Sequence, residues 1–305
     1  MLKLSCSTYP YLQWTTDDAI RSISRCGFKG VEMLTPMHEI YHISPDLPAQ
    51  RIVEIADILD LEGLVVSCIS PANDILSPQT GSLEKETALL KANIDLAEIM
   101  NAPCVRPFAT NQLPSGMSRE EGLNIIIKVL RECVEYAEAR RIKIALENHG
   151  IFPSVPKNII DIVKGVDSPY MGVCLHVGRP GIDEIIDAVG RSIFHLHLGD
   201  CKPLSPEAER LSQEMRKLVS EGLSTEQAAA KLGFSSYSEA IEKIRPEVAP
   251  LGEGSLGLRG LVKKLLDVGY KGWWNLEVYP IQNPEPIATK SVENLTKVLE
   301  EFGVK

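Results

Sequence analysis

Glu147, His176, His197 and Glu277 are side chains of the kind that bind a divalent metal, and each stands at or near the end of a short apolar run. The runs are KIALE (143–147), MGVCLH (171–176), IFHLH (193–197) and WWNLE (273–277). Strands that deliver Glu, His, His and Glu from their C-terminal ends predict a metal site at the mouth of a parallel barrel. Two imidazoles and two carboxylates suit a borderline cation such as Mn, Fe, Co or Zn. A lone Glu at a strand end is ordinarily solvated, and a lone His in an apolar run is ordinarily a hydrogen-bonded core residue. Convergence of four such residues on one side of a barrel rim separates this set from those ordinary cases. His195 shares strand parity with His197, so the two point the same way and one can support the other.

The elements that must position these residues follow from the hydrophobic pattern. Strand-like runs are expected at 2–8, 30–34, 64–70, 104–109, 143–147, 171–176, 193–197 and 273–279, with amphipathic helices between them. In 118–142, Ile126, Val129, Leu130, Cys133, Val134 and Ala137 recur at helical spacing. Thr15–Asp18 and Ser118–Glu121 carry the capping-box pattern of helix starts. Strands that are continuously apolar, alternating with helices, argue for a parallel sheet covered on both faces and closed into a (β/α)8 TIM barrel. An open doubly wound sheet is the alternative, but no GxGxxG follows the first strand. The predicted domain organisation is a single barrel over 1–305, with a helical insertion at 203–250 between the seventh strand and seventh helix.

Active sites of such barrels lie at the C-terminal ends of the strands. By that rule the candidate ring comprises Thr8, Tyr9, Glu32, His38, Ser70, Asn73, Arg106, Glu147, Asn148, His149, His176, Arg179, His197, Asp200, Lys202, Glu277 and Tyr279. Glu147 and Glu277 are candidate proton-transfer groups. His149 is a second candidate base, with an ordinary pKa close to neutral. Arg106, Arg179, Lys202 and Asn73 are candidate substrate contacts, the cations for a phosphate or carboxylate. Arg179 can instead pair with Asp200, and Trp14 and Phe108 can cover a sugar ring.

Bulk properties exclude several classes. A formal charge of −9 opposes a nucleic-acid backbone. No apolar run approaches the roughly 20 residues of a membrane span, so no membrane association is expected. The start MLKLSCSTYP enters a strand at once, without the apolar core of a signal peptide, and cytoplasmic location is the expectation. Seven cysteines with no CxxC pair read as small buried hydrophobes in a reducing compartment. In the insertion, LSTEQAAAKLGFSS (223–236) has the look of a helix-turn-helix. Six Lys or Arg against eight Glu across 203–250 oppose groove reading and favour a lid or oligomer contact. A homo-oligomer remains open.

The chain resembles the xylose-isomerase-like TIM barrels of the sugar phosphate isomerase/epimerase superfamily, a group that includes endonuclease IV, inosose dehydratase, hydroxypyruvate isomerase and ketose 3-epimerases. The resemblance covers nearly everything but the insertion. It is carried by GFKGVEML (27–34), ALENHG (145–150), IFHLHLGD (193–200) and the closing segment at 250–280. It implies one divalent metal held by Glu147, position 176, His197 and Glu277, with the two Glu also acting as an acid/base pair. The family's strand-six D-x-x-H pattern is here His176-Val-Gly-Arg179. Replacing a carboxylate by imidazole removes a charge and shifts the expectation toward Mn, Fe, Co or Zn over Mg.

The expected reaction is isomerisation or epimerisation of a keto sugar or related polyol, begun by removing a proton α to a chelated carbonyl to give an enediolate. Loss of a β-leaving group after the same first step would make the enzyme a lyase or dehydratase. DNA phosphodiester hydrolysis would need three zinc ions and more ligands than six His allow. A different class of reading is a catalytically altered barrel that serves as a binding or partner subunit.

Overall fold

A computed structural model describes residues 2–35, 42–76, 82–110, 113–150, 152–179, 181–220 and 223–304. Its strands are β1 (Leu4–Ser7), β2 (Gly30–Leu34), β3 (Val65–Ser70), β4 (Cys104–Val105), β5 (Lys143–Glu147), β6 (Met171–His176), β7 (Ile193–His197), β8 (Asp200–Cys201), β9 (Val248–Ala249) and β10 (Trp274–Leu276). Eight of them form one parallel sheet in the order β10-β1-β2-β3-β4-β5-β6-β7. Parallel bridges His195–Trp273 and Leu198–Leu276 join its two edges and bring β7 against β10. This is the expected TIM barrel.

The strands are buried on both faces because helices cover the outside and side chains fill the inside. The helices are α1 (Thr16–Arg25), α2 (Ala49–Glu62), α3 (Leu83–Ile99), α4 (Arg119–Glu138), α5 (Pro156–Val166), α6 (Ile182–Val189), α7 (Pro206–Ser220), α8 (Thr225–Lys231), α9 (Tyr237–Ile244), α10 (Leu258–Asp267) and α11 (Glu285–Glu301). The six apolar residues expected to form the inner stripe of α4 are all buried, and Ser118 and Glu121 cap its start reciprocally. Thr15 caps α1 through the Asp18 amide. β4 is shorter than the expected run because Pro107, close after it, has no amide to donate.

Parity decides what faces inward. In β7, His195 and His197 point into the barrel, and their registered partners Cys174 and His176 do the same from β6. Glu147 is registered with Cys174 and joins that face from β5. On the opposite side Glu32 of β2 is registered with Cys68 of β3 and Ser7 of β1. The barrel interior is therefore small and polar rather than aliphatic. All seven cysteines are free thiols, six buried and Cys201 half-buried.

Between β7 and α10 lie the helices α7, α8 and α9. Ser224 and Gln227 form a capping box at the start of α8, and Ser236 caps α9. They share a small apolar cluster of their own, built on Met215, Leu218, Ala228, Ala229, Ala240 and Ile244. One feature there was not expected: β8 and β9 pair antiparallel and bracket the three helices at their base.

Candidate active site

Four strand ends bring Glu147, His176, His197 and Glu277 together. One ligand-type atom from each lies within 4.8 Å of the others. His197 Nδ1 is 2.6 Å from Glu277 Oε2 and 3.1 Å from Glu147 Oε1. His176 Nδ1 is 3.0 Å from Glu147 Oε1 and 3.5 Å from Glu277 Oε2. The two imidazoles and two carboxylates thus aim at one small volume.

Local backbone contacts set these positions. Asn148 donates from Nδ2 to the His176 carbonyl (3.2 Å) and accepts the His176 amide at Oδ1 (2.6 Å), tying the end of β6 to β5. Gly199 lets the chain leaving β7 lie against the backbone at Glu277: a Cβ there would stand 2.7 Å from the Glu277 carbonyl oxygen. The Glu277 amide donates to the Leu198 carbonyl at 2.8 Å.

Beneath this set lies a residue whose role sequence parity did not reveal. Glu32 is fully buried, with Oε1 3.0 Å from His197 Nε2 and Oε2 3.4 Å from His195 Nε2. Asn275 donates to Glu32 Oε2 at 2.5 Å, and Ser70 donates to Oε1. A carboxylate behind a ligating imidazole orients the ring and strengthens it as a donor. Arg106 is buried between the carboxylates, with Nη1 3.4 Å from Glu147 and Nε 3.9 Å from Glu32, and its guanidinium covers the Phe108 ring at 4.2 Å.

Charge in this buried cluster is unevenly balanced. Burial alone would raise the pKa of Glu147, but the His197 charge, Arg106 and hydrogen bonds from both imidazoles hold it well below the usual carboxylate range. Glu32 is likewise held low against its burial, by His197 and His195. Burial works against the His197 imidazolium, yet the carboxylates of Glu277, Glu32 and Glu147 raise its pKa well above normal. Cys174, beside it, is a thiol whose own pKa burial pushes up, so it is neutral. Three carboxylates thus share one guanidinium and one imidazolium. Glu147 Oε2 is buried without a hydrogen-bond partner. Such a donor set fits a divalent cation, which would displace the His197 proton.

Two other groups of ligand-type side chains occur among the described residues. Glu32, His195 and His197 overlap the first set, and Cys68, Cys104 and His195 lie deeper, all buried. Access decides between them. A cavity of about 760 Å³ opens onto Glu147, His176 and Glu277, and none of Cys68, Cys104 or His195 lines it.

The other sequence candidates divide. His149, Arg106, Arg179, Lys202, Tyr9, Phe108 and Tyr279 line the cavity. The expectation that His149 titrates near neutrality fails: burial first, then Arg179, His176 and Arg106, push it down to about 3, with Glu147 opposing. It is a neutral imidazole, 5.3 Å from the Phe108 ring and stacked 5.9 Å from that of His176. Asn73 is not brought to the cavity. Its amide is spent on the Phe108 backbone, donating at 2.9 Å and accepting at 3.0 Å. Lys202 bonds Glu247 at 2.7 Å. The expected Arg179–Asp200 pair does not form, because Asp200 accepts the amides of Cys201, Gly252, Gly254 and Leu256 at 2.9–3.1 Å. Trp14 packs edge-on against Tyr11 rather than at the cavity. His38 lies outside the described residues.

No helix among the described residues is long and apolar enough to cross a membrane. Known proteins extend the comparison. An uncharacterized protein of Methanocaldococcus jannaschii is 26% identical over 182 residues, 56% of this chain and 47% of that protein, so the match spans about half the length of that curated relative. A D-tagatose 3-epimerase-like protein superposes with TM-score 0.70 at 19% identity, covering 99% of this chain and 98% of its own. A xylose isomerase-like TIM barrel protein from Mycobacterium smegmatis, solved in complex with magnesium, gives TM-score 0.70 at 17% identity, with 99% and 97% covered. At those identities the structures speak to fold alone. The model of the xylose isomerase-like TIM barrel family matches residues 20–298, and the chain belongs to that family.

Proposed function

We propose that the protein is a divalent-metal-dependent isomerase or epimerase that acts on a keto sugar or related polyol by moving a proton α to a carbonyl. The observation that carries this reading is the convergence of Glu147 and Glu277 on one imidazole nitrogen of His197, at the floor of an open cavity. Magnesium in the Mycobacterium smegmatis structure and the epimerase-like name of the other neighbour agree with it.

Glu147, His176, His197 and Glu277 would hold the ion. Bound there, a divalent cation supplies Lewis-acid stabilisation of charge that develops on a carbonyl oxygen. Two imidazoles among the four donors favour Mn, Fe, Co or Zn over Mg.

The protein's own groups do the rest. The His197 charge and Arg106 hold Glu147 ionised against its burial, so Glu147 is able to accept a proton. Glu277, partly exposed to the cavity, is the second carrier. Glu32 fixes the ring of His197, Asn148 holds the backbone of His176, and neither moves a proton in this scheme. Phe108 and neutral His149 form a wall that limits water at the reacting carbon. With two carriers, a proton taken from one face can be returned to the other, which is epimerisation. Return to the neighbouring carbon is isomerisation, and expulsion of a β-hydroxyl is dehydration.

The test is exchange of the carbon-bound α-proton in deuterated water. Manganese-loaded protein incubated with a panel of ketoses should wash deuterium into one of them, and Glu147→Gln and Glu277→Gln should not. Absence of exchange across the panel, in protein shown to hold metal, would favour a barrel that binds without turning over.

A further inference from the structure

The cations at the cavity differ in how they are occupied. Arg106 sits among Glu32 and Glu147, and Lys202 is held by Glu247. Arg179 has no ion pair with any described residue, and its Nε is buried without a hydrogen-bond partner. Asp200, the partner considered for it from the sequence, is saturated by four backbone amides. Arg179 lies three residues after His176, on the loop that follows this ligand-type side chain at the cavity. Arg216 lines the same cavity from α7, again without an acidic partner among the described residues. A guanidinium with a desolvated, unsatisfied N–H is costly to keep unless something binds it.

We propose that the substrate carries an anionic group, a carboxylate or a phosphate, remote from its carbonyl, that Arg179 receives it, and that the 203–250 insertion completes this subsite through Arg216. The inference rests on the reading of the site as one that binds a keto sugar. The planar fork of Arg179 matches either anion in a bidentate manner. The insertion thereby gains a role in specificity, since α7 brings Arg216 to the cavity and so selects charged over neutral sugars.

Three probes of one carbon skeleton separate the possibilities: D-fructose, D-fructose 6-phosphate and D-fructuronate. Their binding to manganese-loaded protein is measured by titration calorimetry, and deuterium exchange is followed in parallel by NMR. At least one anionic probe should bind about 10- to 100-fold more tightly than D-fructose. Which of the two is favoured identifies carboxylate or phosphate. Arg179→Gln should abolish the preference by lowering affinity for the anionic probe far more than for D-fructose, and Arg179→Lys should keep only part of it. Arg216→Gln should reduce it by a smaller factor. Equal binding of all three probes, no binding of the anionic ones, or an undiminished preference in Arg179→Gln overturns the proposal. Exchange on D-fructose, with an anion preference indifferent to Arg179→Gln, would leave the proton-transfer reading standing and this inference refuted. Arg179-dependent anion binding without exchange on any probe would do the reverse.

Discussion

The two ends of the barrel hold cavities of similar size and opposite character. At the C-terminal end, about 760 Å³ opens onto Glu147, His176 and Glu277, with Glu32 and His197 buried below. At the N-terminal end, about 710 Å³ is bordered by Lys3, Arg141, Lys143, Arg191 and Lys271, and no carboxylate lines it. Volume therefore does not mark the site. What differs is solvation. The basal cations are exposed and can be hydrated, so their gathering costs little. Above, Glu32 and Glu147 are buried and Glu277 is only partly exposed, and the three carboxylates share one guanidinium and one imidazolium, which leaves one negative charge unbalanced. A cluster that the protein cannot neutralise by itself is the stronger functional signal.

The contrast can be broken by substitution. Glu147→Gln and Glu277→Gln should each lower turnover about 10²- to 10⁴-fold with the fold retained, as judged by circular dichroism and steady-state rates. Lesser loss in both would remove their assigned roles. Glu32→Gln touches no cavity surface, yet it removes the carboxylate behind His197. Metal affinity should fall about 10- to 100-fold in competition with a fluorescent chelator, and an unchanged affinity would show that Glu32 only fills space.

A pH series sharpens the same point. The folded-state pKa of His197 is raised by Glu277, Glu32 and Glu147, so the metal-free site holds a proton through neutral pH. Metal must displace that proton, and apparent affinity should rise with pH by up to about tenfold per unit, with acid released on binding. A flat profile would mean that the ion does not bind at His197. The smallest effect is expected at the other end: Lys143→Gln and Arg191→Gln should leave turnover within about twofold, and a larger loss would show that the basal cavity is coupled to the chemistry.

Much of the architecture was legible because periodicity and parity are local. The two histidines of IFHLH stand two residues apart, so His195 and His197 could be placed on one face from sequence. The box at Ser118–Glu121 likewise announced α4. What was missed depends on closure of the barrel. Glu32 meets His197 across 165 residues of chain, and nothing in GVEML shows that its carboxylate will find an imidazole. Asp200 reads as a free acid until residues 252–256 fold back and point their amides at it. His149 looks like a neutral-range base until its burial is known. The β8–β9 ribbon, two residues per strand, is too short to leave a periodic trace.

The central claim is that Glu147, His176, His197 and Glu277 form one metal centre. Elemental mass spectrometry of the purified protein, before and after chelation and beside His176→Ala, tests it most directly. The account predicts a single divalent ion per chain, Mn, Fe, Co or Zn, removed by chelator, restored on addition, and diminished in His176→Ala. Protein that contains no metal and takes none up, or that holds it equally well without His176, would contradict it.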